Sequence, residues 1–129
     1  MANYEKELDR VFSIYIRIKY ADHTGLVECY TCSLISDYRS MQCGHFNLRA
    51  NDTTRYDERN CRPQCPSCNM NRNGMPESFE EHLREELGDK EVDDLIALGK
   101  KTRSFSDQEY KELIHHYKKI LRSKYSIIA

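Results

Sequence analysis

The chain has 129 residues, the size of one ordinary domain with enough length for a modest hydrophobic core. A formal net charge of -1 excludes a protein that coats nucleic acid through uniform positive charge. The sequence has neither a signal-peptide pattern nor an apolar run of about 18 residues, so a secreted disulfide scaffold and a membrane span are both set aside.

The charge is unevenly distributed. Residues 39–72 hold six arginines against Asp52, Asp57 and Glu58, a local balance of +3. Residues 77–98 fall to -7, and residues 100–124 return to +5. Such blocks predict distinct surfaces, with the arginine-rich one suited to phosphate.

In chain order, Leu8, Val11, Phe12, Tyr15, Ile16 and Ile18 mark an amphipathic helix over 3–20. Asp22 to Gly25 supply a turn before the short apolar run Leu26–Val27. Two short strands are expected at 41–48 and 60–64, the second containing Pro63. Asn69 to Asn73 reads as a short helix closed by Gly74, and helices are expected at 77–87, 89–99 and 107–122. Ser106 and Glu109 have capping-box spacing at the start of the last one. The basic stretch 100–106 reads as a connection, so the expectation is one domain over 1–129: a core at 26–74 with helical flanks at 3–20 and 77–122.

Four of the six cysteines stand as two C-x-x-C pairs, Cys29/Cys32 and Cys65/Cys68. Two such knuckles supply four thiolates to one tetrahedral Zn2+ and tie two distant segments together. This favours a reducing, cytoplasmic setting. Cys43 and Cys61 fit a double knuckle less naturally and read as buried small hydrophobes. A closed four-cysteine site has no open position, so chemistry needs a second centre.

His45, between the cysteine pairs, is the candidate general base, because an imidazole titrates near neutrality. Asn69 follows Cys68, and Asn73 stands one helical turn later. Amide oxygens at that spacing can share a hard-cation site, although asparagine is also a common cap. Asn60 is suited to bridging the ends of the loop between the strands. Arg49, Arg55, Arg59, Arg62 and Arg72 are the candidate phosphate contacts, with pairing to nearby acids as the alternative.

The segments Gly44-His45-Phe46, Arg55 to Asn60 and Pro63 to Asn69, with Asn73-Gly74 downstream, resemble the NinG/Rap family of lambdoid-phage recombination proteins. That family lies within the HNH, or ββα-metal, endonuclease superfamily. The resemblance implies an α+β fold with a zinc-braced, treble-clef-like ββα-metal core between flanking helices. It implies a DNA endonuclease acting on branched or single-stranded recombination intermediates, with structural Zn2+ and catalytic Mg2+ or Mn2+, in the cytoplasm of a bacterial host if the protein is phage-encoded. His45 would be the base, Asn60 the central structural residue, and Asn69 a metal ligand or organiser. Asn73 occupies a position that often supplies a further ligand.

HNH sites often carry an acid or histidine immediately before the base. Here that position is Gly44. Asp57 and Glu58 are the nearby acids that would reach the metal or brace a water there, with pairing to Arg55 or Arg59 as the equal alternative, and the Gly44 carbonyl or a water could also fill the place. A homodimer would suit the cutting of two strands at a four-way junction. The alternative is a noncatalytic, zinc-containing DNA-binding recombination accessory protein.

Overall fold

The computed structural model describes residues 3–129 of a mixed α+β chain. Helix α1 (Tyr4–Lys19) starts where the Asn3 side chain accepts from the Lys6 amide, and it buries Leu8, Val11, Phe12, Tyr15 and Ile16. Strands β1 (Leu26–Glu28) and β2 (Ile35–Asp37) form an antiparallel hairpin whose connection carries Cys29 and Cys32. Strands β3 (Gln42–His45) and β4 (Cys61–Gln64) form a second antiparallel pair, with Cys43 opposite Pro63 and His45 opposite Cys61. Between them lie the single helical turn α2 (Asp52–Arg55) and a tighter turn at Glu58–Asn60. A wide π-type turn at Ser67–Asn71 precedes α3 (Pro76–Leu87), α4 (Asp89–Leu98) and α5 (Asp107–Tyr125).

The long amphipathic helices agree with their sequence periodicity. The capping box is present at α5, where the Glu109 amide donates to Ser106 Oγ and the Ser106 amide donates back to the Glu109 carboxylate. Pro63 is accommodated because a two-stranded sheet consists only of edges.

Three local features differ from expectation. The β1–β2 hairpin is too short for alternation to reveal. Strand β3 ends at His45, because the Asn60 side chain claims the Asn47 amide and starts a loop. The helix expected from Asn69 to Asn73 is instead the wide turn at Ser67–Asn71, after which Asn73 and Met75 take left-handed conformations with φ of 54° and 50°.

Three small cores share the apolar burial. Helices α1 and α5 enclose Phe12, Ile16, Tyr117 and Leu121. Phe12 meets Tyr56 and Tyr117 edge-on, at centroid separations of 5.5 and 5.1 Å, and each such contact contributes about 0.5–1.5 kcal/mol. Val27, Met41 and three cysteines form a second cluster, and Phe79, Leu83, Val92 and Leu95 join α3 to α4.

Polar ties connect these cores. The Glu58 carboxylate accepts from Tyr15 Oη and Lys19 Nζ, both at 2.9 Å, and from Tyr117 Oη at 3.4 Å. Arg62, only 2% exposed, lies between the rings of Tyr20 and Tyr30 and donates to the Glu86 carboxylate at 2.8 Å. The same guanidinium donates to the carbonyls of Glu58 and Cys61. One side chain thereby locks the turn before β4 onto α3.

Candidate metal centre and active-site cleft

The hairpin connection and the start of the wide turn bring Cys29, Cys32, Cys65 and Cys68 together, all four sulfurs lying within 4.8 Å of one another. Cys32 and Cys65 Sγ are 3.7 Å apart. A tetrahedron of Zn–S bonds of about 2.3 Å has edges of about 3.8 Å, so the spacing fits zinc. Backbone amides support the sulfurs: Cys65 N donates to Cys29 Sγ at 3.2 Å and Cys68 N to Cys65 Sγ at 3.5 Å. Burial alone would raise the Cys29 thiol, but the amides of Cys65, Thr31 and Cys32 and the Thr31 hydroxyl bring it down to about 6. Cys32 gains from the Leu34 amide, yet burial and hydrogen bonding with the other three cysteines push it up to about 12. Four such thiols become thiolates together only around a cation.

On the other side of the β3–β4 pair lies a cleft of about 260 Å³ lined by Asp9, Phe12, Ser13, Gln42, Cys43, His45, Arg49 and Asn69. His45 and Asn69, 24 residues apart in sequence, thus share one concavity. The wide turn carries Asn69 toward β3, where its Nδ2 donates to Gln42 Oε1 at 2.8 Å. The Asn69 oxygen is left unused by that bond.

His45 Nε2 lies 3.0 Å from the Arg55 carbonyl oxygen. A carbonyl only accepts, so Nε2 holds the hydrogen and the neutral ring carries its lone pair on Nδ1. Burial lowers the imidazole pKa below its ordinary value; the Arg55 carbonyl opposes this, and the charges of Arg49 and Arg55 add to the lowering. The ring is therefore neutral at pH 7.

Gly44 does not line this cleft, and the direction its side chain would take leads into Gln64. A Cβ placed there would stand 2.0 Å from Gln64 Oε1 and 2.6 Å from Cδ. Gln64 is fully buried, and its Nε2 donates to Thr31 Oγ1 and to the Gly74 carbonyl, linking the zinc knuckle to the end of the wide turn. A side-chain ligand before His45 therefore has no space in this fold.

Asp57 and Glu58 are engaged elsewhere. The Asp57 carboxylate caps its own turn and pairs with Arg59 at 2.7 Å, and Glu58 serves the network joining α1 and α5. Neither lines the His45 cleft. Asn73 also lies outside it, exposed beyond the end of the wide turn. Asn60 is wholly buried: its Oδ1 accepts from the Asn47 amide at 2.6 Å, and its Nδ2 donates to the carbonyls of Thr54 and Asn47. It closes the loop that delivers the Arg55 carbonyl to His45.

The five arginines separate by burial. Arg62 belongs to the interior, and Arg55, 8% exposed, donates through Nε and Nη2 to Asp9. Arg59 spans Asp57 and Glu91. Arg49 is exposed but bonded to Asp9, and Arg72 is exposed. Local acids thus claim several guanidinium groups expected to meet phosphate.

Asp9, Ser13 and Gln42 are the cleft residues that sequence reading missed. Asp9 is the cleft's carboxylate among the described residues, and it accepts from Arg55, Arg49 and Tyr56. Burial favours its neutral form, but these donors override that and lower its pKa. The helical spacing of Asp9, Ser13 and Arg17 is the signal that marks a polar stripe on α1. A larger cavity of about 700 Å³ lies beside α5, but Asp52, Asp57, Glu109 and Glu112 line it and would repel phosphate.

Two short antiparallel strand pairs, flanking helices and a four-cysteine cluster able to coordinate a metal define an α+β metal-site protein, an arrangement consistent with a treble-clef-like core. The family described as Bacteriophage Lambda NinG protein matches residues 1–125, and the chain belongs to that family. No curated protein and no solved structure gives a significant match. No helix among the described residues is long and apolar enough to cross a membrane.

Proposed function

We propose that the chain is a metal-dependent DNA endonuclease whose centre is the His45 cleft and whose scaffold is a zinc-bound Cys29/Cys32/Cys65/Cys68 site. The observation that carries this reading is the convergence in one cleft, beside Arg49, of the Asn69 amide and a half-buried imidazole whose Nε2 is held by the Arg55 carbonyl. Family membership supports action on recombination intermediates, branched or single-stranded.

In hydrolysis, His45 Nδ1 takes a proton from water as that oxygen attacks phosphorus; the P–O3' bond breaks and the 3'-oxygen takes a proton from solvent water, giving 5'-phosphate and 3'-hydroxyl ends. Asn60 holds the 47–60 loop so that the Arg55 carbonyl keeps the imidazole in its base tautomer. Arg49 meets a phosphate at the mouth of the cleft. Mg2+ or Mn2+, when bound, would supply charge neutralisation for the phosphate under attack. The Asn69 oxygen and Asp9 are the hard donors that would hold it, with phosphate and water completing the shell.

A noncatalytic DNA-binding role is the second reading, favoured by the full occupation of Asp9 by neighbouring donors. The two readings separate on linear, single-stranded, flap and four-way DNA with Mg2+ or Mn2+ and fixed zinc content. The nuclease reading requires cleavage by the intact protein and loss of at least about 100-fold in a folded, DNA-binding His45→Ala variant. Absence of cleavage on every substrate and with both metals selects the accessory role.

A further inference from the structure

We propose that Cys43, His45 and Cys61 form a second metal site, selective for thiophilic cations such as Zn2+ or Cd2+, and that its occupation silences the His45 cleft. The register of the β3–β4 pair sets His45 opposite Cys61, while Cys43 stands two residues before His45 on the same face. One ligand atom from each of the three residues lies within 4.8 Å of the other two. Two sulfurs and an imidazole are a donor set for Zn2+ or Cd2+, and a poor one for Mg2+, which takes oxygen.

The surroundings suit a bound ion. Two thiolates and a neutral imidazole around a divalent cation give zero net charge, so burial carries a far smaller penalty than for a charged cluster. The His45 Nε2–H bond to the Arg55 carbonyl is the kind of outer bond that fixes a metal-ligating imidazole. The Cys61 thiol donates to that same carbonyl at 3.7 Å, a bond that ends when the sulfur gives up its proton to bind a cation, so among the three ligands the loop orients the imidazole. Cys43 and His45 also line the cleft, which provides an entry path and leaves a fourth position for water or a phosphate oxygen.

A neutral imidazole has one lone pair. It binds a metal or accepts the proton of an attacking water, and it cannot do both. The inhibitory half of the inference rests on the endonuclease reading above, whereas metal binding at the site does not.

The test uses the full chain loaded with one equivalent of Zn2+ and titrated with Cd2+, with metal content measured by mass spectrometry and thiolate-to-cadmium absorbance followed. The wild-type protein is expected to bind a second equivalent. Cys43→Ala, at a half-buried position where folding is least at risk, and His45→Ala are each expected to retain the first equivalent and lose the second. A single equivalent in the wild type, or two in Cys43→Ala, overturns the site. Nuclease assays with Mg2+ then compare wild-type protein before and after the second equivalent, expecting at least about tenfold loss that a mild chelator reverses. Unchanged cleavage with the second equivalent bound overturns the inhibition. If the protein cuts no DNA at all, the nuclease reading and the inhibitory half fall together, while the stoichiometry still decides whether the site exists.

Discussion

Restoring the acid that HNH sites often carry before the base is the obvious way to strengthen this centre, and the geometry forbids it. Even Gly44→Ala places a Cβ 2.0 Å from Gln64 Oε1, 2.6 Å from Cδ and 2.8 Å from Cγ. Movement of one terminal atom cannot clear three such contacts, so the Gln64 side chain has to leave. Its departure breaks the bonds from Nε2 to Thr31 Oγ1 and to the Gly74 carbonyl, a loss of about 1 kcal/mol each. Repacking around the displaced chain adds about 1–3 kcal/mol. Gly44→Ala is therefore expected to destabilise the zinc-loaded protein by about 3–5 kcal/mol, and Gly44→Asp by more. Urea unfolding at fixed zinc measures this. In a Gln64→Ala background the cost of Gly44→Ala should fall below about 1 kcal/mol, since the obstacle is gone. Equal costs in the two backgrounds, or a Gly44→Ala protein as stable as wild type, would refute the reasoning.

Arg62→Met should cost about 2–4 kcal/mol of stability, because it strips donors from Glu86 and two carbonyls; the lower end is expected since Glu86 is 41% exposed and water screens its charge. Arg72→Ala, at an exposed site, should leave the urea midpoint unchanged and reduce the salt slope of DNA binding by about 1; an unchanged slope removes Arg72 from the interface. Burial favours protonated Glu58, but Lys19, Tyr15 and Tyr117 hold its pKa below the ordinary value. Its stabilisation is therefore complete above the ordinary value of 4.5 and is lost as pH falls through the native one. Glu58→Gln should accordingly destabilise by about 1 kcal/mol at pH 7 and converge with wild type in acid; a gap that persists at low pH would locate the effect in packing.

The elements legible in the sequence were those whose signal is periodic or chemically punctuated. The stripes of α1 and α5, the Ser106–Glu109 box and the two C-x-x-C pairs are local patterns, and local patterns survive without knowledge of tertiary contacts. The wide turn at Ser67–Asn71 was not legible, because its i→i+5 geometry is set by tying Cys65 and Cys68 to the same knuckle rather than by residue preference. Asp9 escaped notice because its role depends on partners 40 to 47 residues away. The arginine block is legible only as charge, for a related reason. Net charge is additive along a sequence, whereas availability depends on which acids the fold sets beside each guanidinium, and Arg55 and Arg62 are consumed by the interior.

The Asp9 cluster also links the two ligands of the proposed reaction. Asp9 Oδ1 accepts from Arg55 Nε and Tyr56 Oη, and Oδ2 accepts from Arg55 Nη2 and Arg49 Nη2. Four donors fill the roughly four lone-pair positions of a carboxylate, so a cation finds none open. Of these donors Arg49 is the most readily removed, since its side chain is 63% exposed and an exposed ion pair contributes at most about 1 kcal/mol. A DNA phosphate at the mouth of the cleft competes for that guanidinium and, in taking it, frees one position on Oδ2 for the cation. Binding of DNA and of Mn2+ should then reinforce each other by equal factors. Arg49→Ala separates the two effects: it should tighten Mn2+ binding several-fold without DNA, as read by electron paramagnetic resonance, while weakening DNA binding. If Mn2+ affinity in Arg49→Ala equals or falls below that of the wild type, Asp9 is no ligand, and its place is with the structural ion pairs that hold α1 to the loop before β4.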